Sequence, residues 1–431
     1  MTDASALRFS RGKSIVPRIM CVQIQEREGY RRMKYIVVLG DGMADEPIES
    51  LGGKTPLEYA DTPMMDLLAG QSEIGLLHTI PEGMKPGSDT ANLSVIGYDP
   101  KIYYTGRSPL EALSIGVPME ADDVAFRCNL VTLSEEEPYE QKHLIDHSSG
   151  EISTEDAAVL LEALQKEFTS EAYQLYLGTS YRHCLIWKHG QVVNLAAPHD
   201  HLTEVVGPWM PQDAALRRMQ ERSYEILSSH PINLARKARG ENPANSCWFW
   251  GAGTKPALTS FEENYHKKGV MISAVDLLKG IAVGAGMKNI NVEGANGGLN
   301  TNYEGKAKAA VRALLEDGYD FAYIHVEAPD EMGHQGSVER KVKAIENLDQ
   351  RVIRIVKEEM DQSGEEYRLL VLPDHPTPIR VRTHTSDPVP YLLYDSTDCR
   401  THQWHYNERE AASSGNDRGK GCEMMRYLLR E

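Results

Sequence analysis

Asp41, Asp330, Asp374, His334, His375, His384 and Ser88 are the residue types that could surround two divalent cations and an oxygen nucleophile. Asp41 lies in Gly40-Asp41-Gly42-Met43, where the flanking glycines let the backbone turn sharply. Asp330 and His334 are spaced i, i+4 and would share one face of a helix. Pro329, Gly333 and Gly336 around them predict a shaped loop rather than a regular surface helix. Asp374-His375 is bracketed by Pro373 and Pro376, and His384 follows in Thr383-His384-Thr385-Ser386-Asp387-Pro388. Ser88 stands in Pro86-Gly87-Ser88-Asp89-Thr90-Ala91-Asn92. Its ordinary reading is a helix N-cap. Its chemical reading uses the same place, since a helix N-terminus favours phosphate and a cation beside the hydroxyl would make it a nucleophile. Each motif alone is commonplace: an Asp-Gly turn, a helix pair, a Pro-flanked turn, a lone histidine. Together they point to a phosphoryl-transfer metalloenzyme, with a metal-dependent hydrolase of another ester as the next reading.

The elements that must position these residues are three short apolar runs. KYIVVL precedes Asp41, FAYIHV precedes Asp330, and YRLLVL precedes Asp374. Each has the composition of a strand buried on both faces of a parallel sheet, and chemistry in such sheets gathers beyond the strands' carboxyl ends. In the C-terminal half, strand-like GVMIS (269–273), NINV (289–292), FAYIHV and YRLLVL alternate with helical stretches near Val275–Ala282, Tyr303–Glu316 and Val338–Met360. That alternation predicts an α/β fold with a mostly parallel sheet flanked by helices. The middle of the chain reads as an inserted α+β domain over residues 118–256. It has helices over Thr154–Phe168 and Gln212–Ser229 and strand-like YQLYLG and CLIWK segments. The rest, 33–117 and 257–431, is expected to form one discontinuous metal-binding domain. Residues 1–32 are expected to be an extension outside it.

At 431 residues, two domains are expected. No apolar run is long enough to span a membrane, and the basic N-terminal stretch lacks the apolar core of a signal peptide. The net charge of −17 argues against a nucleic-acid partner, though it leaves room for a small anionic substrate at a cationic site. The six cysteines are scattered without a Cys-x-x-Cys pair, which disfavours thiolate zinc sites. They read as buried, reduced thiols of a cytoplasmic enzyme.

The ordered set of motifs, with Gly106-Arg107-Ser108-Pro109-Leu110-Glu111-Ala112 and Asn242-Pro243-Ala244-Asn245, resembles the cofactor-independent phosphoglycerate mutases. The likeness is to their archaeal-type branch within the alkaline phosphatase superfamily, and it runs from about Met33 to the C-terminus. It implies an alkaline phosphatase-like core with an inserted lid that closes over a small phosphorylated substrate and excludes water. It implies two divalent ions (manganese, zinc or magnesium) and no bisphosphoglycerate primer. One ion would be held by Asp41, Ser88, Asp374 and His375, the other by Asp330, His334 and His384. Ser88 would carry the phosphoryl group between the two hydroxyls of phosphoglycerate, interconverting the 3- and 2-phospho isomers. Candidate substrate contacts are Arg182, Arg236 and Arg239, with His199 and Asp200 as polar partners and Lys306 for the phosphate.

Two departures touch the substrate rather than the metals. The arginine-rich substrate motifs of the bacterial-type mutases are absent from the middle domain. Asn300 also stands where the resemblance leads one to expect an acidic residue. The alternative within the resemblance is therefore a homoserine kinase-like phosphotransferase, and a plain phosphatase or phosphodiesterase is a third reading. A binding protein that has lost catalysis is disfavoured, because no member of the seven-residue set is missing.

Overall fold

Strand β1 (Lys34–Gly40) is the hub on which the site is built. Alternate residues of a strand face opposite sides of its sheet. Here Ile36 and Val38 enter one apolar cluster, while Tyr35, Val37 and Leu39 enter another on the opposite face. Apolar from Tyr35 to Leu39, the strand is thus buried twice, as a parallel sheet with helices on both faces requires. The computed structural model describes residues 33–430; the segment 1–32, read above as an extension, lies outside the described residues.

The remaining strands, in chain order, are β2 (Glu73–His78), β3 (Val124–Leu133), β4 (Leu144–Asp146), β5 (Tyr173–Thr179), β6 (Arg182–Trp187) and β7 (Ser246–Thr254). They continue with β8 (Gly269–Ile272), β9 (Lys288–Asn289), β10 (Phe321–Val326), β11 (Tyr367–Leu372), β12 (Val389–Asp395) and β13 (Asp417–Lys420). Eight form one sheet in the order β13-β2-β12-β11-β1-β10-β8-β9. Its centre is parallel, with Val38 opposite both Ile324 and Val371. Only β12 runs against its neighbours β11 and β2. The architecture is the α/β, mostly parallel sheet that the alternating pattern predicts. No helix among the described residues is long and apolar enough to cross a membrane.

Strands β3–β7 form a second, antiparallel sheet drawn entirely from residues 124–254. Its core holds Phe126, Leu185 and Phe249, packed by Leu160 and Leu164 of the helix Thr154–Phe168 and Leu216 of the helix Ala214–Ser228.

Three local expectations change. Asp330 and His334 lie on a regular helix, Ala328–His334, rather than a shaped loop. Pro329 falls in its first turn, where the missing N–H has no intrahelical partner to lose. The helix read as Val338–Met360 runs as Val338–Leu348 and Arg354–Ser363 around a π-turn at Asp349–Ile353. Buried Asp349 accepts the amides of Met64 and Met65 there, satisfying free donors at the start of the helix Pro63–Ala69. Finally, NINV yields only the edge strand Lys288–Asn289, and edge strands are commonly short. Of the described cysteines, Cys128, Cys184 and Cys247 are buried, but Cys399 is exposed.

Candidate active site

Because β1, β10 and β11 are adjacent and parallel, the residues that follow them emerge side by side at one edge of the sheet. Asp41 follows β1, Asp330 and His334 sit on the helix after β10, Asp374 and His375 follow β11, and His384 comes from the loop before β12. Ser88 begins the helix Ser88–Val95, with Gly87 rather than Ser88 as its N-cap. All seven converge. Ser88 Oγ is 3.2 Å from His375 Nε2. That nitrogen is 3.6 Å from Asp41 Oδ1 and 3.4 Å from Asp374 Oδ2. His334 Nε2 and His384 Nε2 are 3.0 Å apart and lie 3.2 and 3.5 Å from the Asp330 carboxylate oxygens.

Gly42 makes the convergence possible. Its φ of +58° suits glycine, and a Cβ there would sit 2.5 Å from Thr377 Oγ1 and 2.6 Å from Asp330 Oδ1. The Asp374 carboxylate is aimed by the Gly42 amide at 3.0 Å and by Asn92 Nδ2 at 2.9 Å. Asn92 also donates to Ser88 O, and Tyr323 donates its hydroxyl hydrogen to Asn92 Oδ1, so the nucleophile and the carboxylate share one support.

The charges of this cluster are unbalanced. Burial, reinforced by the Asp374, Asp330 and Glu327 carboxylates, pushes Asp41 well above the usual carboxylate range. Burial would also raise Asp330, yet hydrogen bonds from His334 and His384 outweigh it and hold this carboxyl well below that range. The bond to Asp330 carries His334 up to about 9, and burial lowers His375. Asp41 Oδ1 is buried without a hydrogen-bond donor. Two groups, Asp41/Asp374/His375 and Asp330/His375/His384, each bring their ligand atoms within 4.8 Å of one another. An orphaned carboxylate oxygen and facing imidazole nitrogens fit cations of the borderline class, whose charge would reverse the repulsion at Asp41. A third acidic-histidine group, Asp122/Asp123/His189, already has its cation, since Lys188 Nζ is 2.7 Å from Asp123.

Beside the Asp330 helix lies a cleft of about 560 Å³. Arg127 and Arg182 line it from β3 and β6, Arg107 from the helix Arg107–Ser114, and Glu327, Glu331 and Arg340 from the sheet side. Glu111 orders two of these arginines: its oxygens are 2.8 Å from Arg107 Nε and 2.6 Å from Arg127 Nε. The Arg127 guanidinium also lies over the Trp250 ring, 4.6 Å from its centroid. Burial, then the charges of Glu331 and Asp330, pushes Glu327 up to about 7.

The six candidate substrate contacts divide. Arg182 is exposed in the cleft. His199 packs edge-on against Trp250 at 5.2 Å; burial lowers its pKa, helped by nearby Arg127 and Lys85. Asp200 beside it is exposed, 3.6 Å from His199 Nε2. Arg236 is instead a strut, buried and donating to Asn242 O and Ser149 O. Arg239 is exposed and forked onto Glu241. Lys306 is wholly buried, donates to His325 O at 2.9 Å, and is lowered by burial to about 8.

Several neighbours were not singled out from the sequence. His325 Nε2 is 2.9 Å from Asp41 Oδ2, and Arg127, Arg107, Glu327 and Asn92 stand as described. A usable signal existed for two of them: His325 is the one polar residue of FAYIHV, and Arg127 is the one charged residue of VAFRCNLVTL. A polar group there needs a partner.

Residues 69–233 match the family described as 2,3-bisphosphoglycerate-independent phosphoglycerate mutase. A protein of that name from Methanosarcina barkeri is 47% identical over 405 residues, covering 92% of this chain and all of the relative. A Geobacter sulfurreducens protein named as a probable mutase of the same kind is 46% identical over 92% of this chain and 100% of its own length. Among solved structures, a Pyrococcus horikoshii protein superimposes with a TM-score of 0.77 at 32% identity, covering 93% of this chain and 98% of its own. The cofactor-independent phosphoglycerate mutase of Thermoplasma acidophilum gives a TM-score of 0.62 at 25% identity over 92% of this chain and 99% of its own. With nearly half its residues shared along the whole length of such relatives, this chain belongs to the 2,3-bisphosphoglycerate-independent phosphoglycerate mutase family.

Proposed function

We propose that the protein interconverts 3-phosphoglycerate and 2-phosphoglycerate through a phosphoserine at Ser88. The approach of Ser88 Oγ to His375 Nε2, within the carboxylate and imidazole cluster, carries this reading. Asp41, Ser88, Asp374 and His375 would hold one divalent cation, and Asp330, His334 and His384 the other. When bound, the cations would offset the carboxylate charge, favour loss of the Ser88 proton and stabilise charge on the phosphoryl group in flight.

The chain's own groups do the rest. Ser88 Oγ attacks phosphorus, the bond to the C3 oxygen breaks, and that oxygen leaves with a proton as the glycerate hydroxyl. The C2 hydroxyl of the same glycerate then attacks phosphorus, loses its proton and frees Ser88. At the start of the helix Ser88–Val95 the amides of Ser88 and Asp89 face phosphoryl oxygens, while the Thr90 amide already donates to Asp89 Oδ1. Arg107, Arg127 and Arg182 line the cleft on the side of the second sheet, where guanidinium forks suit the substrate carboxylate. The second sheet, with residues 118–256 as its domain, acts as the lid that keeps water from the phosphoserine.

The test is incubation of Mn²⁺-loaded protein with 3-phosphoglycerate, and separately with ATP plus homoserine. Formation of 2-phosphoglycerate in the first mixture is expected, with Ser88→Ala inactive. Product from the second mixture alone would remove the mutase reading, and full activity in Ser88→Ala would remove the phosphoserine.

A further inference from the structure

Behind the three segments that supply the acidic and histidine candidates lies a connection that the phosphoryl-transfer steps do not use. Lys341 is on the helix Val338–Leu348, a few residues beyond His334, and is completely buried. Its Nζ donates to Ala44 O at 3.2 Å, Asp45 Oδ2 at 2.8 Å and Thr377 O at 2.8 Å. An ammonium has three donors, and each has an acceptor here. Asp45 in turn accepts the Ile379 amide through both oxygens, at 3.3 and 3.2 Å, and the Glu46 amide at 2.8 Å. The Thr377 amide donates to Ala44 O at 3.2 Å, and Thr377 Oγ1 donates to Asp330 Oδ1 at 2.5 Å.

The acceptors are not scattered. Ala44 and Asp45 close the turn that begins at Asp41, and Thr377 closes the turn that begins at Asp374 and His375. Lys341 itself belongs to the segment that continues from Asp330 and His334. One ammonium therefore touches all three chain segments that supply the carboxylate and imidazole groups. Space-filling alone would be met by methionine, with no charge to desolvate. A buried ion pair kept in place of an apolar pair suits a role in fixing geometry.

We infer that Lys341, paired with Asp45, is a positioning residue that sets the spacing of Asp41, Asp330, Asp374 and His375 before any cation arrives. The inference rests on the two-cation reading of the site given above. A preformed cage does not spend binding free energy on ordering its own loops. The pair would thus act on cation affinity and only through it on turnover.

Two measurements test this. The first is titration of metal-free protein with Mn²⁺ in a calorimeter, comparing wild type with Lys341→Met/Asp45→Asn. The double variant removes both charges of the pair together, so neither partner is left as an unpaired buried ion. The expected result is a folded protein whose Mn²⁺ dissociation constant rises at least tenfold. A lowered melting temperature with unchanged Mn²⁺ affinity would assign the pair to stability alone and overturn the inference. Wild-type protein that takes up no Mn²⁺ would remove the two-cation reading together with this inference. The second measurement needs no variant: amide hydrogen exchange in metal-free wild type. The Thr377 and Ile379 amides should exchange at least 100-fold more slowly than in an unfolded peptide. Exchange at the peptide rate would mean that these turns are unformed without a cation, and would sink the proposal even if the variant does not fold.

Discussion

Gly42→Ala is the substitution whose cost can be worked out most directly. At φ +58° the new side chain pays the left-handed penalty of about 1–2 kcal/mol. Its Cβ would also lie 2.5 Å from Thr377 Oγ1, 2.6 Å from Asp330 Oδ1 and 2.8 Å from Asp330 Cα. The last atom is backbone and cannot rotate away, so an overpacking cost of about 1–3 kcal/mol is added. Gly52→Ala is the matched control. Its φ is +69°, and nothing lies within 4 Å of the added methyl group. It incurs the backbone term alone, and both variants share the same change in the unfolded chain. The difference between them therefore isolates the steric term, roughly 2 kcal/mol. Urea unfolding of metal-free protein would read it as a lower midpoint for Gly42→Ala at equal m. Because the obstructed atoms belong to Asp330, Mn²⁺ affinity should fall in Gly42→Ala and hold in Gly52→Ala. Equal midpoints for the two variants would refute the crowding argument.

Two further outcomes follow from individual side chains. His183 is buried and its pKa is lowered to about 4 by that burial, below an unfolded value near 6.5; its contribution is complete above pH 6.5 and is lost as pH falls toward 4. That makes about 2 kcal/mol of stability lost between pH 7 and pH 5. Urea midpoints should show the loss in wild type but not in His183→Asn, whose Oδ1 can still accept the Gly178 amide; an equal loss in both would exclude His183 as the source. Arg127→Met, which empties the cleft of one guanidinium ordered by Glu111, should raise KM for 3-phosphoglycerate at least tenfold with Mn²⁺ affinity unchanged, and steady-state kinetics showing wild-type KM would take Arg127 out of the substrate site.

The sequence carried the centre of the fold because β1, β10 and β11 are buried on both faces, and that burial leaves mostly apolar runs, broken inside only by His325 in β10 and Arg368 in β11. The candidate site was readable for the same reason, since Asp41, Asp374 and His375 come at or just past the ends of those runs and Asp330 and His334 follow on the next helix. What surrounds it was harder to see. Arg236 and Arg239 have the same side chain as Arg127, and only the partners differ: carbonyl oxygens and Glu241 for the former, Glu111 and a cleft for the latter. Ser149, which Arg236 also holds, is 87 residues away in sequence, and the reach of Arg127 to Glu111 depends on which way β3 faces; Glu241, two residues from Arg239, is a local partner. Lys306 could not be told from a surface lysine until the helix Tyr303–Leu315 was seen to pack it beneath β10. The helix Ala328–His334 was obscured by Pro329, whose meaning depends on whether it falls in a first turn or an interior one.

The placement of β1 has a consequence for biosynthesis. Its hydrogen-bonding partners on both sides, β10 and β11, lie about 290 residues or more further along the chain. At about 5–20 residues per second, the ribosome needs roughly 15–60 s to deliver the first of them. Throughout that interval a largely apolar strand has neither neighbour, and an exposed strand of this kind is a site for aggregation. The nascent chain thus depends on shielding of strand β1, and the carboxylate and imidazole cluster cannot assemble until His384 has been made.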